Sequence, residues 1–165
     1  MVTNTCGGGI DQTAVIGHAP ESREWAPGDP SFAPEIDKTA RIEAYVTIDG
    51  GLWAATKIGA RSWAMKGCHV GHDAQIGDDV ELAPHCSVGG HVVIEDGVRV
   101  GQGALFRPFV NVGKGARVGM GAVVVCDIPA GETWCGNPAR QLKPRDVSPS
   151  SVDCRQFGWM PDYEG

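Results

Sequence analysis

The chain has 165 residues, a length that supports one domain, and a formal net charge of −6 that argues against a nucleic-acid-binding surface. No apolar run approaches a membrane-spanning helix, so no membrane association is expected. The opening Met1-Val-Thr-Asn-Thr-Cys-Gly-Gly-Gly lacks the basic and apolar regions of a secretion signal, and the expected location is cytoplasmic.

In chain order, Ile10 and Ile16 open a first pair of six-residue units. Residues 19–35, with four prolines, read as an inserted loop: either it projects beside a binding groove, with Trp25 and Phe32 to pack, or it tucks against the body. The units resume at Ile36, Ile42 and Ile48, then slip in phase within DGGLWAATK, because Ile58 follows Ile48 by ten residues. From Ile58 the rhythm is strict. Every sixth residue is apolar, through Ala64, Val70, Ile76, Leu82, Val88, Ile94, Val100, Phe106 and Val112 to Val118. Four places after each of these sits a residue no larger than valine, ending at Ala122. Beyond Ala122 the pattern is expected to dissolve, with a tail over 141–165 that carries Phe157, Trp159 and Tyr163.

A period of six is neither helical nor that of a flat strand. It reads as a solenoid, a parallel β-helix with three short strands per coil and the apolar residue pointing inward. The fold class is therefore all-β, one domain over 1–140 with the loop insertion at 19–35. Eighteen residues per coil stack residue i under i+18 at about 4.8 Å. Cys68 and Cys86 then sit one above the other at inward positions; a bridge is conceivable, and buried free thiols are the expected state. Cys6, Cys126, Cys135 and Cys154 have no metal-ligand spacing. Glu81, Arg99 and Arg117 form a solvated charge column. His72 falls beneath Gly90, Asp73 beneath His91 and His69 beneath Ser87, which gathers four of the five histidines (with His85) on two adjacent coils.

His69-Val-Gly-His72-Asp73, followed one coil later by Gly90-His91, resembles the active-site segment of the UDP-N-acetylglucosamine acyltransferases. It is also similar to the shorter sugar-nucleotide acetyltransferases of the same hexapeptide-repeat superfamily. The resemblance covers about 36–140, and it implies a left-handed coil. In this family the histidine matching His72 is the general base, and the glycine matching Gly90 offers its N–H to the thioester carbonyl. His69 and His91 match histidines that line the acceptor pocket. Asp73 is placed to orient an imidazole, that of His72 or of His91.

The closing segments Asp127-Ile-Pro-Ala-Gly and Gly136-Asn-Pro-Ala-Arg140 are typical of such acetyltransferases. Arg140, and more weakly Lys143, is a candidate for coenzyme A phosphates, or else a charge that caps the coil. Gly103 and Gly121 are candidates for lining the pantetheine groove, or else are plain turn glycines. A short segment after Arg140, where the lipid-forming enzymes carry a helical domain for acyl-carrier-protein contacts, favours acetyl-CoA as donor.

The implied activity is acyl transfer, in the first instance acetyl, to an amine or hydroxyl of a sugar or sugar nucleotide, with no metal. The implied assembly is a homotrimer with sites between subunits, for which Trp53, Trp63, Leu105 and Phe109 would be the uncovered apolar side chains. Two alternatives use the same coil. One is a zinc enzyme resembling the γ-class carbonic anhydrases, which use the same coil and trimer with histidine ligands across an interface; His69, His72, His85 and His91 supply imidazoles, of which three could meet a tetrahedral metal. The other is a non-catalytic β-helix that binds a ligand or only builds structure.

Overall fold

The computed structural model describes residues 9–142, and the expectations that fall on Cys6, Cys154, Lys143 and the aromatic residues of the tail lie outside them. The described residues are all-β, with no helix, so none is long and apolar enough to cross a membrane. The strands are mostly two residues long because each apolar residue of the six-residue rhythm is followed by a turn.

Three parallel sheets form the faces of the coil. The first face runs from Gly9–Ile10 through Arg41–Ile42, Trp63–Ala64, Glu81–Leu82 and Arg99–Val100 to Arg117–Val118 and Thr133–Cys135. The second comprises Val15–His18, Thr47–Asp49, His69–Val70, Ser87–Val88, Leu105–Phe106 and Val123–Val124. The third comprises Glu35–Ile36, Lys57–Ile58, Gln75–Ile76, Val93–Ile94 and Asn111–Val112. Registers such as Glu81↔Arg99 and Ser87↔Leu105 advance by one coil of eighteen residues.

The core is the inside of this prism. Ile42, Ile48, Leu82, Ile94 and the valines between them are fully buried, and each coil rests on the one below. Cys68 and Cys86 are buried free thiols whose Sγ atoms both approach the Ala83 carbonyl oxygen, at 3.1 and 2.9 Å. Along the expected charge column Arg99 pairs with Glu81, and Arg117 continues it.

The coil continues beyond Ala122, where the rhythm was expected to dissolve. Val124 keeps the period and is buried, and Ile128 then bridges to Val112 two residues early. The antiparallel pairing of Thr133–Cys135 with Arg140–Gln141 closes the end. The rhythm is hidden there because the final turn is two residues short.

Trp63 also departs from expectation. Its Nε1 donates to Glu43 Oε1 at 3.0 Å and the Arg41 guanidinium lies 4.0 Å over its ring, so this chain covers it. Trp53, Leu105 and Phe109 are exposed as expected, joined by Met120 and Tyr45.

The two breaks in period share one location. Val15 pairs with Thr47, fourteen residues more than a coil, and Thr47 pairs with His69, four more than a coil. Both insertions leave the prism at the corner between the second and third faces. That corner also carries His72, Gly90 and Phe109.

Candidate active site

Three successive coils turn this corner with one residue in the left-handed region: Asp73 at φ 59°, His91 at 59° and Phe109 at 68°. Asp73 N–H donates to Thr56 Oγ1 (2.9 Å), His91 N–H to the His72 carbonyl (2.9 Å) and Phe109 N–H to the Gly90 carbonyl (3.1 Å). The corner is thus pinned coil to coil, and its side chains project together.

Asp73 is 5% exposed, yet its carboxylate is well supplied with donors. The four-residue excursion folds over it and gives three backbone N–H groups: Leu52 to Oδ2 at 2.9 Å, Trp53 to Oδ1 at 2.8 Å and Ala54 to Oδ1 at 2.6 Å. Oδ2 also meets His72 Nδ1 at 2.8 Å. Burial pushes the Asp73 carboxyl up, but the Leu52 amide, the His72 imidazole and the Ala54 and Trp53 amides outweigh it and hold it below the ordinary carboxylate value. Asp73 is therefore an ionised acceptor, and the proton between it and His72 belongs to Nδ1. This leaves the His72 Nε2 lone pair free.

Nε2 points at Gly90. A Cβ at Gly90 would lie 2.6 Å from it and 2.7 Å from Cε1, so only a residue without a side chain fits above this imidazole. The Gly90 N–H has no acceptor among the described residues. Of the two imidazoles that Asp73 was expected to orient, His72 is the one it bonds; His91 Nε2 is 3.9 Å from Oδ2.

His91 is held by rings. Phe109 stacks on it at 4.6 Å and 8°, and Trp53 lies on it at 4.6 Å and 37°. Burial pushes its pKa down, Asp73 opposes, and His72 adds to the lowering, which keeps the ring neutral near pH 7. Glu21, Ser22, Arg23 and Glu24 of the long insertion, with Leu52, Trp53, His72, His91, Pro108 and Phe109, enclose a cavity of about 260 Å³. A larger hollow of about 810 Å³ runs along the third face, but its lining, in which charged side chains such as Glu35, Lys57, Asp96 and Lys114 flank apolar strand residues, contains no imidazole, thiol or hydroxyl.

The four clustered histidines separate in space. His72 and His91 meet edge to face, with ring centroids 5.0 Å apart. His69 lies on the second face beside Asp49, its Nδ1 2.9 Å from Thr47 Oγ1. His85 turns a different corner, at φ 62°. His72, Asp73 and His91 do bring three potential ligand atoms within 4.8 Å, but both Asp73 oxygens already accept backbone hydrogen bonds.

Gly103 and Gly121 stand on the corner between the first and second faces, at φ 69° and 63° with open space beyond them, so turn geometry by itself accounts for glycine there. Arg140 lies in the closing hairpin, exposed, its Nη1 on the Ala139 carbonyl (2.8 Å). The amides of Leu52, Trp53 and Ala54, Glu21 and Asp49 were not foreseen. The signal was available in the phase: both slips fall after the same unit of the coil that, in the next turn, leads into His72.

The bacterial transferase hexapeptide (six repeats) profile matches residues 55–90. The chain is 50% identical over 102 residues to the UDP-3-O-acylglucosamine N-acyltransferase of Maricaulis maris (strain MCS10), a match that covers 62% of this chain and 30% of the relative. It superposes on the UDP-N-acetylglucosamine O-acyltransferase (LpxA) of Moraxella catarrhalis RH4 with a TM-score of 0.77 at 29% identity, covering 82% of this chain and 53% of that one. On PerB from Caulobacter crescentus, solved in complex with CoA and GDP-perosamine, the TM-score is 0.69 at 27% identity, with 83% and 57% covered. The chain thus spans from about a third to somewhat over half the length of these relatives. The hexapeptide-repeat match and the superpositions identify the coil as the left-handed parallel β-helix implied by its motifs.

Proposed function

We propose that this hexapeptide-repeat chain is an acyltransferase, moving an acetyl or other acyl group from coenzyme A to an amine or hydroxyl of a sugar or sugar nucleotide. The observation that carries the reading is the free Nε2 of His72 under the bare backbone of Gly90, with Nδ1 tied to an ionised Asp73. Its relatives are named as acyltransferases of UDP-linked glucosamines, and PerB was solved with CoA.

In this mechanism His72 Nε2 takes the proton from the acceptor O–H or N–H as that atom attacks the thioester carbonyl carbon. The carbonyl π electrons move to oxygen, and the Gly90 N–H donates to the oxyanion. Collapse re-forms the carbonyl, breaks the C–S bond, and returns the proton from Nε2 to the departing thiolate. Asp73 stays ionised throughout and stabilises the imidazolium. It is a positioning residue, held in turn by the Leu52–Ala54 amides. His91, neutral and sandwiched, forms one wall of the acceptor pocket, with His69 beyond it.

Gly103, Gly121 and Arg140 are the proposed donor contacts along the coil. A homotrimer is the proposed assembly. Trp53 and Phe109 are 60% and 63% exposed at the rim of the His72 cavity, and a neighbouring subunit would cover them and complete its wall. A cytoplasmic location remains part of the proposal.

Release of free thiol from acetyl-CoA, measured across a panel of amino- and hydroxy-sugar nucleotides, tests the reading. His72→Gln is expected to lower kcat by roughly 10²–10⁴-fold with the fold intact. Acceptor binding without thiol release across the panel would leave a ligand-binding β-helix instead.

A further inference from the structure

Asp49 ends the strand Thr47–Asp49 on the second face and is buried, 2% exposed. Its Oδ2 has no hydrogen-bond partner among the described residues. His69, one coil on, places Nε2 3.9 Å from that oxygen, beyond hydrogen-bond reach. Glu21, from the long insertion, brings a second carboxylate, and one ligand atom from each of the three lies within 4.8 Å of the others. Burial pushes the Asp49 carboxyl up, His69 opposes, the Glu21 charge adds to the rise, and His18 and the Glu21 amide oppose in turn. Among the described residues neither carboxylate pairs with a lysine or arginine. Two acids thus stand side by side, one of them buried, with only imidazoles to offset them.

Spacing decides what fits between them. Oδ2 is closed to water, and a hydrogen-bonded oxygen or nitrogen would need about 2.8 Å to each acceptor. The point midway between Oδ2 and Nε2 lies half of their 3.9 Å, about 2.0 Å, from each, the length of a zinc–nitrogen or zinc–carboxylate bond. A tetrahedral site sets such ligands about 3.4 Å apart, so closure asks His69, whose side chain is 30% accessible, to advance about 0.5 Å. The Thr47 hydroxyl, 2.9 Å from His69 Nδ1, both donates and accepts and so accommodates either tautomer; an ion on Nε2 selects the one protonated at Nδ1. One nitrogen and two carboxylates suit a first-row transition ion, whereas magnesium and calcium take oxygen alone.

We propose that Asp49, His69 and Glu21 form a metal site for a divalent transition ion, zinc in the first instance, apart from the His72 corner. The two carboxylates balance the charge of the ion, the orphaned Oδ2 gains a partner, and water completes the coordination. The ion ties the long insertion to the second face. Because Glu21 also borders the His72 cavity, the same bond fixes that wall. The role is structural: no step of acyl transfer runs through the ion, and the site does not depend on the acyltransferase reading. His72, Asp73 and His91 are the rival cluster, but there the carboxylate oxygens already accept the Leu52, Trp53 and Ala54 amides.

The full chain, untagged and stripped with EDTA, is titrated calorimetrically with Zn²⁺, and thermal unfolding is followed with and without the ion. One equivalent is expected to bind and to raise Tm. Asp49→Asn and His69→Gln are each expected to weaken binding by more than about tenfold, the loss that an outer-shell change alone can bring. Glu21→Gln, at an exposed position that spares the fold, is expected to weaken it as well. His72→Gln is expected to bind as wild type does. Asp49→Asn should also reverse the order of stability, melting above wild type without the ion and below it at saturating Zn²⁺. Co²⁺ in place of Zn²⁺ is expected to give visible bands without the charge-transfer band of a thiolate ligand. The site is overturned by the absence of stoichiometric binding, by undiminished binding in Asp49→Asn or His69→Gln, by loss of binding in His72→Gln, or by a thiolate band.

Discussion

Gly90→Ala probes the centre of the proposed mechanism with a single methyl group. Gly90 is outside the left-handed region, so alanine carries no backbone penalty there. The new Cβ would sit 2.6 Å from His72 Nε2, about 0.8 Å inside the 3.4 Å at which ordinary contact begins. The ring cannot yield freely, because its Nδ1 is 2.8 Å from Asp73 Oδ2 and that carboxylate is clamped by three backbone amides. Moving the ring by the overlap stretches the 2.8 Å bond to about 3.6 Å, beyond a hydrogen bond. A displacement of this size at a reacting group costs on the order of 10²-fold in rate. The crowding itself costs about 1–3 kcal/mol of stability. Thiol release under saturating acetyl-CoA should therefore fall about 10²-fold, with unfolding still cooperative. Gly115→Ala is the control: its φ of +68° and open surroundings predict about 1–2 kcal/mol of destabilisation and unchanged turnover. Turnover by Gly90→Ala within about threefold of wild type would refute the assignment of Nε2 and the Gly90 backbone to the reaction.

Asp73→Asn and Asp49→Asn should act with opposite sign on stability. The Asp73 carboxyl is held below its ordinary value of 3.8, so it contributes stability above that pH which is lost as pH falls through the lower folded value. Asp73→Asn should cost about 1–3 kcal/mol at pH 7, and thermal unfolding should show the deficit vanish in acid. Asp49 is raised above 3.8, so its ionisation destabilises the folded state as pH rises; Asp49→Asn should raise Tm of the metal-free protein at pH 7 and make no difference well below pH 3.8. Ile94→Ala, which empties a fully buried site in the middle of the prism, should cost about 2–5 kcal/mol by denaturant unfolding, and a smaller loss would mean the coil collapses onto the gap.

The alternatives are narrowed by how groups are spent. A zinc centre within one chain would need three of the four histidines together, but His85 is on another corner and His69 faces Asp49. The Asp73 carboxylate in the remaining set is committed to the backbone of the excursion and to His72, an arrangement suited to orienting an imidazole.

Period and stacking were legible in the chain because a solenoid repeats one local rule: an inward aliphatic residue every sixth place settles the faces, the registers and the placement of His72 beneath Gly90. Trp63 and the last coil were misjudged where that rule yields to individual partners, Arg41 and Glu43 in one case and a turn two residues short in the other. What tertiary structure alone decided is the meeting of the two insertions at the His72 corner. The amides of Leu52, Trp53 and Ala54, which carry no side-chain signature, choose His72 over His91 as the partner of Asp73 by fixing the carboxylate from behind, and Glu21 comes to Asp49 and His69 across nearly fifty positions of sequence. Periodic stacking can be counted along a chain; hydrogen bonds from irregular backbone depend on where a loop folds back, and that is settled only when the coil beneath it exists.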